Sequence, residues 1–350
     1  MKIYINENTD PYYNLASEEY LLEHSSGDIF LLWRNSPAVI IGKNQNAYAE
    51  INLDFTRAND IKVVRRLTGG GAVFHDLGNV NFTFISPSDG ELAKGIRAGG
   101  LDFEHFTRPV VEALASLGVA AELSGRNDIV ADCQGEKRKI SGNAQCVYNT
   151  ASGEVKTMHH GTLLFSADMS RMQGALNVDP EKLKSKGVKS VRSRVANILD
   201  LIPDDMRPLV PDAAAFMRYI ARFISERYQV STGGFEPDTD AGIHELARVK
   251  YSTDGWNLRR FGSFETELKH RFEFGCVEIS LNVREGAISG LHIGGDFFGV
   301  RDAEELSERL VGTDYEVGAL SERLAGLTVG EYISGADAES LARFICRCDL

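Results

Sequence analysis

Residues 63–76 read VVRRLTGGGAVFHD, and the reading of this stretch decides the rest. Two valines lead into paired arginines, then Leu67-Thr68, three successive glycines, apolar Ala72-Val73-Phe74 and finally His75-Asp76. Three adjacent glycines are poor helix or strand material, because each loses more backbone freedom on folding than any other residue. They do permit close approach of the main chain and positive φ angles, so that successive N–H groups converge on an anion. Arg65 and Arg66 add charge with a fork geometry suited to carboxylate or phosphate. The stretch therefore reads as a glycine loop between two extended runs, built for an anionic ligand. The plain alternative is a β-hairpin with a glycine-rich turn. No GxxxxGK[ST] is present, and Gly69-x-Gly71 lacks the third glycine of a dinucleotide fingerprint.

Outward from this loop, 350 residues leave room for a full core and two domains. Apolar residues make up 43% and charged ones 25%, ordinary for a globular protein, and no apolar run approaches a membrane span. The start MKIYINENTDPYY has no basic and apolar leader pattern, which points to the cytoplasm. Five scattered cysteines without a CxxC pair give neither a disulfide framework nor a zinc pattern. A net charge of −12 argues against sequence-independent nucleic-acid binding.

The periodicity predicts a helix over 12–24, short buried strands at 29–33 and 38–41, a short helix over 52–59, a strand at 63–65 and another at 80–86. A helix follows over 102–117, its regular part starting near Pro109. Strand-like stretches come at 120–123, 128–130, 138–141 and 158–164, then a helix over 213–228. Glycine, proline and acids at 233–240 read as linker chemistry. Alternation at 277–283 and 288–293 reads as a hairpin, and helical patterns at 302–311, 318–325 and 337–345 complete a second domain. The order of elements is α+β rather than a strict βαβ alternation. The expected division is 1–246 and 247–350.

Four further stretches carry candidate chemistry. Gly125-Arg126-Asn127-Asp128 opens a strand, where Asp128 suits a magnesium ion or a ribose; otherwise it is an Asn-Asp turn. In KRKISGNAQ, Lys137 and Lys139 share a strand face, and an inward lysine would neutralise two anions held together. His159 and His160 fall on opposite faces of a strand, which argues against joint metal binding and leaves one to pack over an apolar ligand. Asn14–Glu19 offers small and acidic groups on an early helix. The basic run 180–194 reverses the sign of the chain and reads either as solvated surface or as a loop closing over phosphates. No GxSxG elbow and no HExxH are present.

Together YYNLASEE (12–19), VIIGKNQN (39–46), RRLTGGGAVFHDLGNVNFTF (65–84), SGRNDI (124–129), KRKISGNA (137–144) and HHGTLL (159–164) resemble the lipoate–protein ligase A family, within the wider biotin/lipoate protein ligases. The match is collinear over nearly the whole chain; 271–286 resembles the family's C-terminal accessory domain. The resemblance implies a mixed-sheet α+β catalytic domain related to class II synthetases, with a smaller α+β domain behind it. It implies that lipoate, or octanoate, and Mg-ATP give acyl-AMP, and that the acyl group then passes to a lysine of a lipoyl domain. Acceptors would be E2 subunits of 2-oxoacid dehydrogenases and the glycine-cleavage H protein. No prosthetic group, nucleic acid or membrane is implied.

Residue by residue, the resemblance makes Lys139 the essential lysine touching lipoate and α-phosphate. It puts Arg66, Gly71, Ala72, Val73, Phe74, Asn127 and Asp128 at ATP, with Asp128 as the magnesium ligand. It lines the lipoate site with Leu15, Ser17, Glu18, Arg66, Thr68, Val73, His75, Lys139 and His160. Lys182, Lys184, Lys189 and Arg192 fall in the loop that closes on the adenylate. Thr68 stands where serine is frequent in the family, and Asn143 where a small residue is usual. The competing readings are an octanoyl or lipoyl transferase of the same fold, working through a cysteine thioester, and a non-enzymatic lipoate sensor.

Overall fold

The computed structural model describes residues 1–94, 96, 100–177, 195–259 and 262–348, so the basic run with Lys182, Lys184, Lys189 and Arg192 lies outside the described residues. Eleven strands of the first body are β1 (Lys2–Ile5), β2 (Ile29–Trp33), β3 (Ala38–Ile41), β4 (Lys62–Arg65), β5 (Val73–His75), β6 (Asn79–Pro87), β7 (Ala121–Ser124), β8 (Asp128–Cys133), β9 (Glu136–Asn149), β10 (Val155–Leu164) and β11 (Thr232–Gly233). Eight of them form one mixed sheet in the order β11-β1-β2-β6-β10-β9-β8-β7, and β4-β3-β5 form a second, smaller sheet.

Both faces of the large sheet are covered, which is why IFLLW in β2 is apolar throughout rather than alternating. On one face Phe30, Phe82 and Phe84 pack against helices Phe103–Ser116 and Ala213–Tyr228. On the other, Leu31, Trp33 and Met158 meet helix Pro11–His24 and the small sheet. That helix starts where the sequence says it should: Asp10 accepts from Tyr12 N–H and Pro11 occupies the first turn, where a missing N–H does no harm.

The plain alternative for the glycine loop falls away, and two expectations are corrected. The glycine loop is not a hairpin turn, because β4 and β5 do not pair with each other: β4 runs parallel to β3, and β5 antiparallel to it. The helix around Pro109 begins at Phe103, capped by Asp102, and runs through the proline. Burial of Phe106 and Thr107 on that first turn and a half outweighs the one hydrogen bond that Pro109 forfeits. Residues 233–240 are not a linker: β11 pairs with β1, and Pro237–Leu246 is a helix.

That helix passes without a break into a π-turn at Ala247–Tyr251. Tyr251 Oη then donates to Glu19 (2.7 Å), and Asn257 is bonded to Arg65. The expected division at 246/247 falls inside this run, and we propose that it lies beyond Asn257 instead. The second body holds β12 (Thr266–Phe272), β13 (Gly275–Arg284) and β14 (Ala287–Gly295), an antiparallel sheet with its own apolar core under helices Ala303–Leu310, Val317–Ala325 and Ala338–Ile345. It touches the first body through Lys43–Asp302 (2.8 Å) and through Phe297-Phe298, which lie on the glycine loop. Among the described residues no helix is long and apolar enough to cross a membrane.

Candidate active site

A cavity of about 160 Å³ opens between the small sheet and the large one. Its floor is a row of paired strand residues: Trp33 on β2 opposite Asn81 on β6, and Asn81 opposite Thr162 on β10. Gly142 on β9 extends the row, its N–H donating to Thr162 Oγ1 at 3.1 Å. Paired residues project to one face, so these line the cavity together. The roof comes from Ile40, Val73 and His75, and Leu15 closes the side.

Lys139 enters this row although its own Cα lies three residues before Gly142. A Cβ placed on Gly142 would meet Lys139 Nζ at 2.8 Å, so the absence of a side chain there makes room for the ammonium. A bulge between Ile129 and Val130 interrupts the β8–β9 ladder next to it. Lys139 Nζ pairs with Asp128 at 2.7 Å, both groups about one-third exposed. Lys137 instead points out and pairs with Glu122. Asn127 completes this cationic end; it exchanges hydrogen bonds with Asn143, its Nδ2 reaching Asn143 O at 2.7 Å.

The three glycines have three different reasons. A Cβ on Gly69 would sit 2.3 Å from Phe297 O, and Gly70 has φ +88° with Phe298 3.0 Å from its Cβ position. Both are needed for the second domain to approach. Gly71 has open space before it, in the cavity. Gly70 N–H is taken by Phe297 O (3.3 Å), so this donor of the loop serves the interface between the bodies rather than a bound anion.

Arg66 organises the loop from inside. Its Nη2 donates to Gly69 O (2.7 Å) and Gly71 O (2.9 Å), its Nη1 to Ile40 O (3.1 Å) and its Nε to Thr68 Oγ1 (2.9 Å). Burial lowers its pKa to about 10, with the Glu18 carboxylate acting the other way, so it stays a cation at neutral pH. Arg65 turns away from the cavity altogether. It donates to the carbonyls of Gly42, Lys43, Gln45, Trp256 and Asn257 and staples the loop after β3 to the end of the first body. The expectation of two anion-binding arginines therefore reduces to one at the cavity.

A buried chain runs back from Arg66. Arg66 Nε–H is a donor only, so Thr68 accepts from it (2.9 Å), and Thr68 Oγ1 also lies 2.8 Å from His160 Nε2. At the far end the Glu18 carboxylate accepts from His160 Nδ1–H (2.8 Å), and a neutral ring protonated there takes the Thr68 hydroxyl proton on Nε2. Glu18 also receives Thr83 Oγ1–H (2.6 Å), which itself accepts from Trp33 Nε1–H (3.0 Å). Glu18 and Thr68 thus lie beneath the cavity and hold its wall, and only His160 of the three reaches it. Ser17 is likewise buried, bonded to Asn14 O.

Of the other expected residues, Leu15, Gly71, Ala72, Val73, His75, Asn127 and Lys139 line the cavity, and Asp128 stands beside it on Lys139. The side chain of Phe74 faces the opposite way, packed with Val39 and Ile41. Strand alternation explains this: Val73 and His75 share one face and Phe74 takes the other. Residues not anticipated are Trp33, Ile40, Asn81 and Thr162 on the walls, and Phe298, which packs against Gly70 of the loop under the Arg126 guanidinium (4.6 Å). Pairing across the sheet, invisible in a linear string, brings these together.

His159 confirms the two-faced reading of its dipeptide. It points into the core, stacked on Phe106 (5.4 Å, 13°), and its ring nitrogens find no partner among the described residues. Burial holds its pKa well below 6.5. Cys146 is buried with its thiol pushed up to about 12, again by burial.

Residues 10–220 match the lipoyl protein ligase A/B catalytic domain family, and 262–345 match the bacterial lipoate protein ligase C-terminus. The chain is 39% identical to lipoate–protein ligase 1 of Staphylococcus aureus over 348 residues, covering 99% of this chain and 100% of that one. It is 40% identical to lipoate-protein ligase LplJ of Bacillus subtilis, covering 97% and 98%. Among solved structures, P. falciparum LipL1 in complex with lipoate superposes with a TM-score of 0.71 at 23% identity, over 93% of this chain and 94% of that one. A lipoate-protein ligase A bound with ATP gives 0.55 at 27%, over 73% and 98%. A bipartite lipoate protein ligase from Thermoplasma acidophilum, described with its E2 lipoyl domain, gives 0.59 at 27%, over 76% and 98%.

Proposed function

The chain belongs to the lipoyl protein ligase A/B family, and on that premise we propose that it is an ATP-dependent lipoate–protein ligase in which this one cavity carries both half-reactions. One observation carries the residue assignment: Lys139 Nζ, the open backbone of Gly71 and an apolar trench meet in one cavity. From the strand bearing Lys139 to that of Trp33 are three strand spacings, roughly 14 Å. That is room for an eight-carbon acid lying with its carboxylate on Lys139.

In the first half-reaction a carboxylate oxygen of lipoate attacks the α-phosphorus of ATP, and pyrophosphate leaves. Two anions must meet, and the Lys139 ammonium placed between them offsets the charge that builds there. The main chain at Gly71–Phe74, kept in place by Arg66, and the Asn127 amide receive the nucleotide. In the second, a lysine amine of the acceptor attacks the carbonyl carbon; AMP leaves and a proton is lost to solvent as the amide forms. Lipoyl domains of E2 subunits and the glycine-cleavage H protein are the acceptors we propose.

Magnesium fits the donor set. Among the described residues no cluster of three His, Cys, Asp or Glu side chains forms a cage. This ion is usually held by one or two carboxylates with phosphate oxygens and water. Asp128 would hold it, and the ion would neutralise the departing pyrophosphate.

The thioester route has no nucleophile here. Neither Cys133 nor Cys146 lines the cavity, and the Cys146 thiol is buried and raised. The test is pyrophosphate exchange into ATP with and without lipoate, followed by intact mass of an unmodified lipoyl domain. Exchange that requires lipoate, retained in Cys133→Ser/Cys146→Ser and lost in a folded Lys139→Ala, is expected. Exchange without lipoate, or full activity in Lys139→Ala, would sink the assignment.

A further inference from the structure

The end of the cavity farthest from Lys139 is apolar in outline but holds two buried donors without work to do. Trp33, Leu15 and Val73 surround it, and His75 and Asn81 are set among them, 3% and 1% exposed. His75 Nε2 and Asn81 Nδ2 find no hydrogen-bond partner among the described residues.

The proton on His75 is placed by a chain of asparagines. Asn14 Nδ2 donates to two main-chain carbonyls, of Asn8 (3.0 Å) and Arg34 (2.9 Å), which settles which end of that amide is nitrogen. The same nitrogen lies 2.8 Å from Asn35, which must therefore turn its oxygen toward Asn14. Asn35 Nδ2 is then left to face His75 Nδ1 at 3.1 Å. A donor at Nδ1 makes that nitrogen an acceptor, so the ring proton sits on Nε2. Burial, reinforced by Arg66 and His160, keeps the ring neutral with a pKa of about 3. His75 thus presents one fixed N–H, and Asn81 supplies a second.

A hydrocarbon terminus would bury both donors unpaired, a penalty that falls on that ligand alone. A sulfur terminus offers lone pairs to N–H groups and polarisable contact to an indole edge. We propose that His75 and Asn81 select, at the distal end of the acyl site, a cyclic disulfide over a plain alkyl chain of equal length, with Asn35 as the positioning residue that sets the His75 tautomer. The proposal rests on the ligase reading above and adds the acyl preference to it.

The experiment compares kcat/KM for lipoate and for octanoate in lipoate- or octanoate-dependent pyrophosphate exchange. In Asn81→Leu the lipoate-to-octanoate ratio is expected to fall about tenfold, chiefly because octanoate improves once the unpaired amide is gone. Asn35→Leu, which lies behind His75, is expected to lower the ratio in the same direction. A purely structural role would depress both substrates alike; parallel losses, or a ratio that rises, would overturn the proposal. Nitrogen NMR of the unaltered protein at neutral pH gives an independent readout: the Nε2–H form of His75 is expected, and the Nδ1–H form would overturn it. Absence of exchange with either acid in the unaltered protein would instead defeat the ligase reading itself.

Discussion

Replacing His159 by phenylalanine should stabilise the protein, and more so in acid. The ring sits at 0% exposure between Phe106, Phe82 and Phe103, with centroids at 5.4, 6.0 and 5.6 Å. It buries an N–H that finds no acceptor among the described residues, which costs about 1–3 kcal/mol irrespective of pH. Its pKa is lowered well below 6.5 by burial, with neighbouring His160 as the second cause. In the unfolded chain the ring titrates normally, so below pH 6.5 the unfolded state takes up a proton that the folded state refuses. Stability is therefore lost as pH falls, by about 2 kcal/mol between about pH 7 and about pH 5 for this one site. His159→Phe removes that loss. His75, depressed to about 3, has the same sign but is present in both proteins and cancels in the comparison. Urea denaturation at the two pH values measures it: the variant should be more stable at pH 7, with the gap wider by about 2 kcal/mol at pH 5. Lipoate-dependent exchange should persist, because this ring faces away from the cavity. A gap identical at both pH values would refute the reasoning, since it would mean the folded ring accepts its proton like the unfolded one.

Arg65→Lys should cost about 3 kcal/mol, because a lysine cannot reproduce five bonds to five carbonyls from a planar fork; an unchanged urea midpoint would contradict this. Glu18→Gln should cost about 3 kcal/mol and weaken lipoate binding in calorimetry, since it removes the buried counter-charge of Arg66 and half of the support of His160. Binding and stability equal to the parent would mean that the chain from Arg66 to Glu18 holds nothing in place. Gly161→Ala should cost about 1–3 kcal/mol, because a Cβ there falls 2.2 Å from Asn143 Oδ1 and 2.5 Å from Phe82 Cζ; a parental melting temperature would refute it. Iodoacetamide at mildly alkaline pH should label exposed Cys348 and spare Cys146 until the protein unfolds; labelling of Cys146 in the native state would contradict its raised pKa.

Local grammar was enough for most elements. Asp10-Pro11, Asn52 and Asp212 announce helix starts with capping side chains, and IFLLW and AVII announce strands buried on both faces. Where the reading failed, a distant partner had overruled a local preference. Pro109 is carried through its helix by the packing of Phe106 on the sheet. The polar, glycine-rich 233–240 stretch is held because Gly233 pairs with β1, Phe235 packs on Tyr4 and Asp240 accepts from the Tyr13 hydroxyl.

The amino-acid sequence by itself determined the family and the glycine loop, and that the two histidines take opposite faces. These follow from covalent neighbours and a two-residue repeat, which a string of letters carries; the repeat leaves Lys137 level with Lys139 and does not say which histidine faces inward, and the resemblance alone singled out Lys139 and His160. Only the tertiary structure decided that Arg65 is a staple and Arg66 a brace, that Gly69 and Gly70 admit the second domain, and that Thr68 and Glu18 lie beneath the cavity rather than in it. It alone placed Asn81, from β6, beside His75, from β5, at the far end. Each of these depends on which strand lies beside which, and hence on contacts between residues tens to hundreds of positions apart. Proton direction along the asparagine and histidine chains is likewise a property of the assembled network, because a donor is defined only once its acceptor is in place.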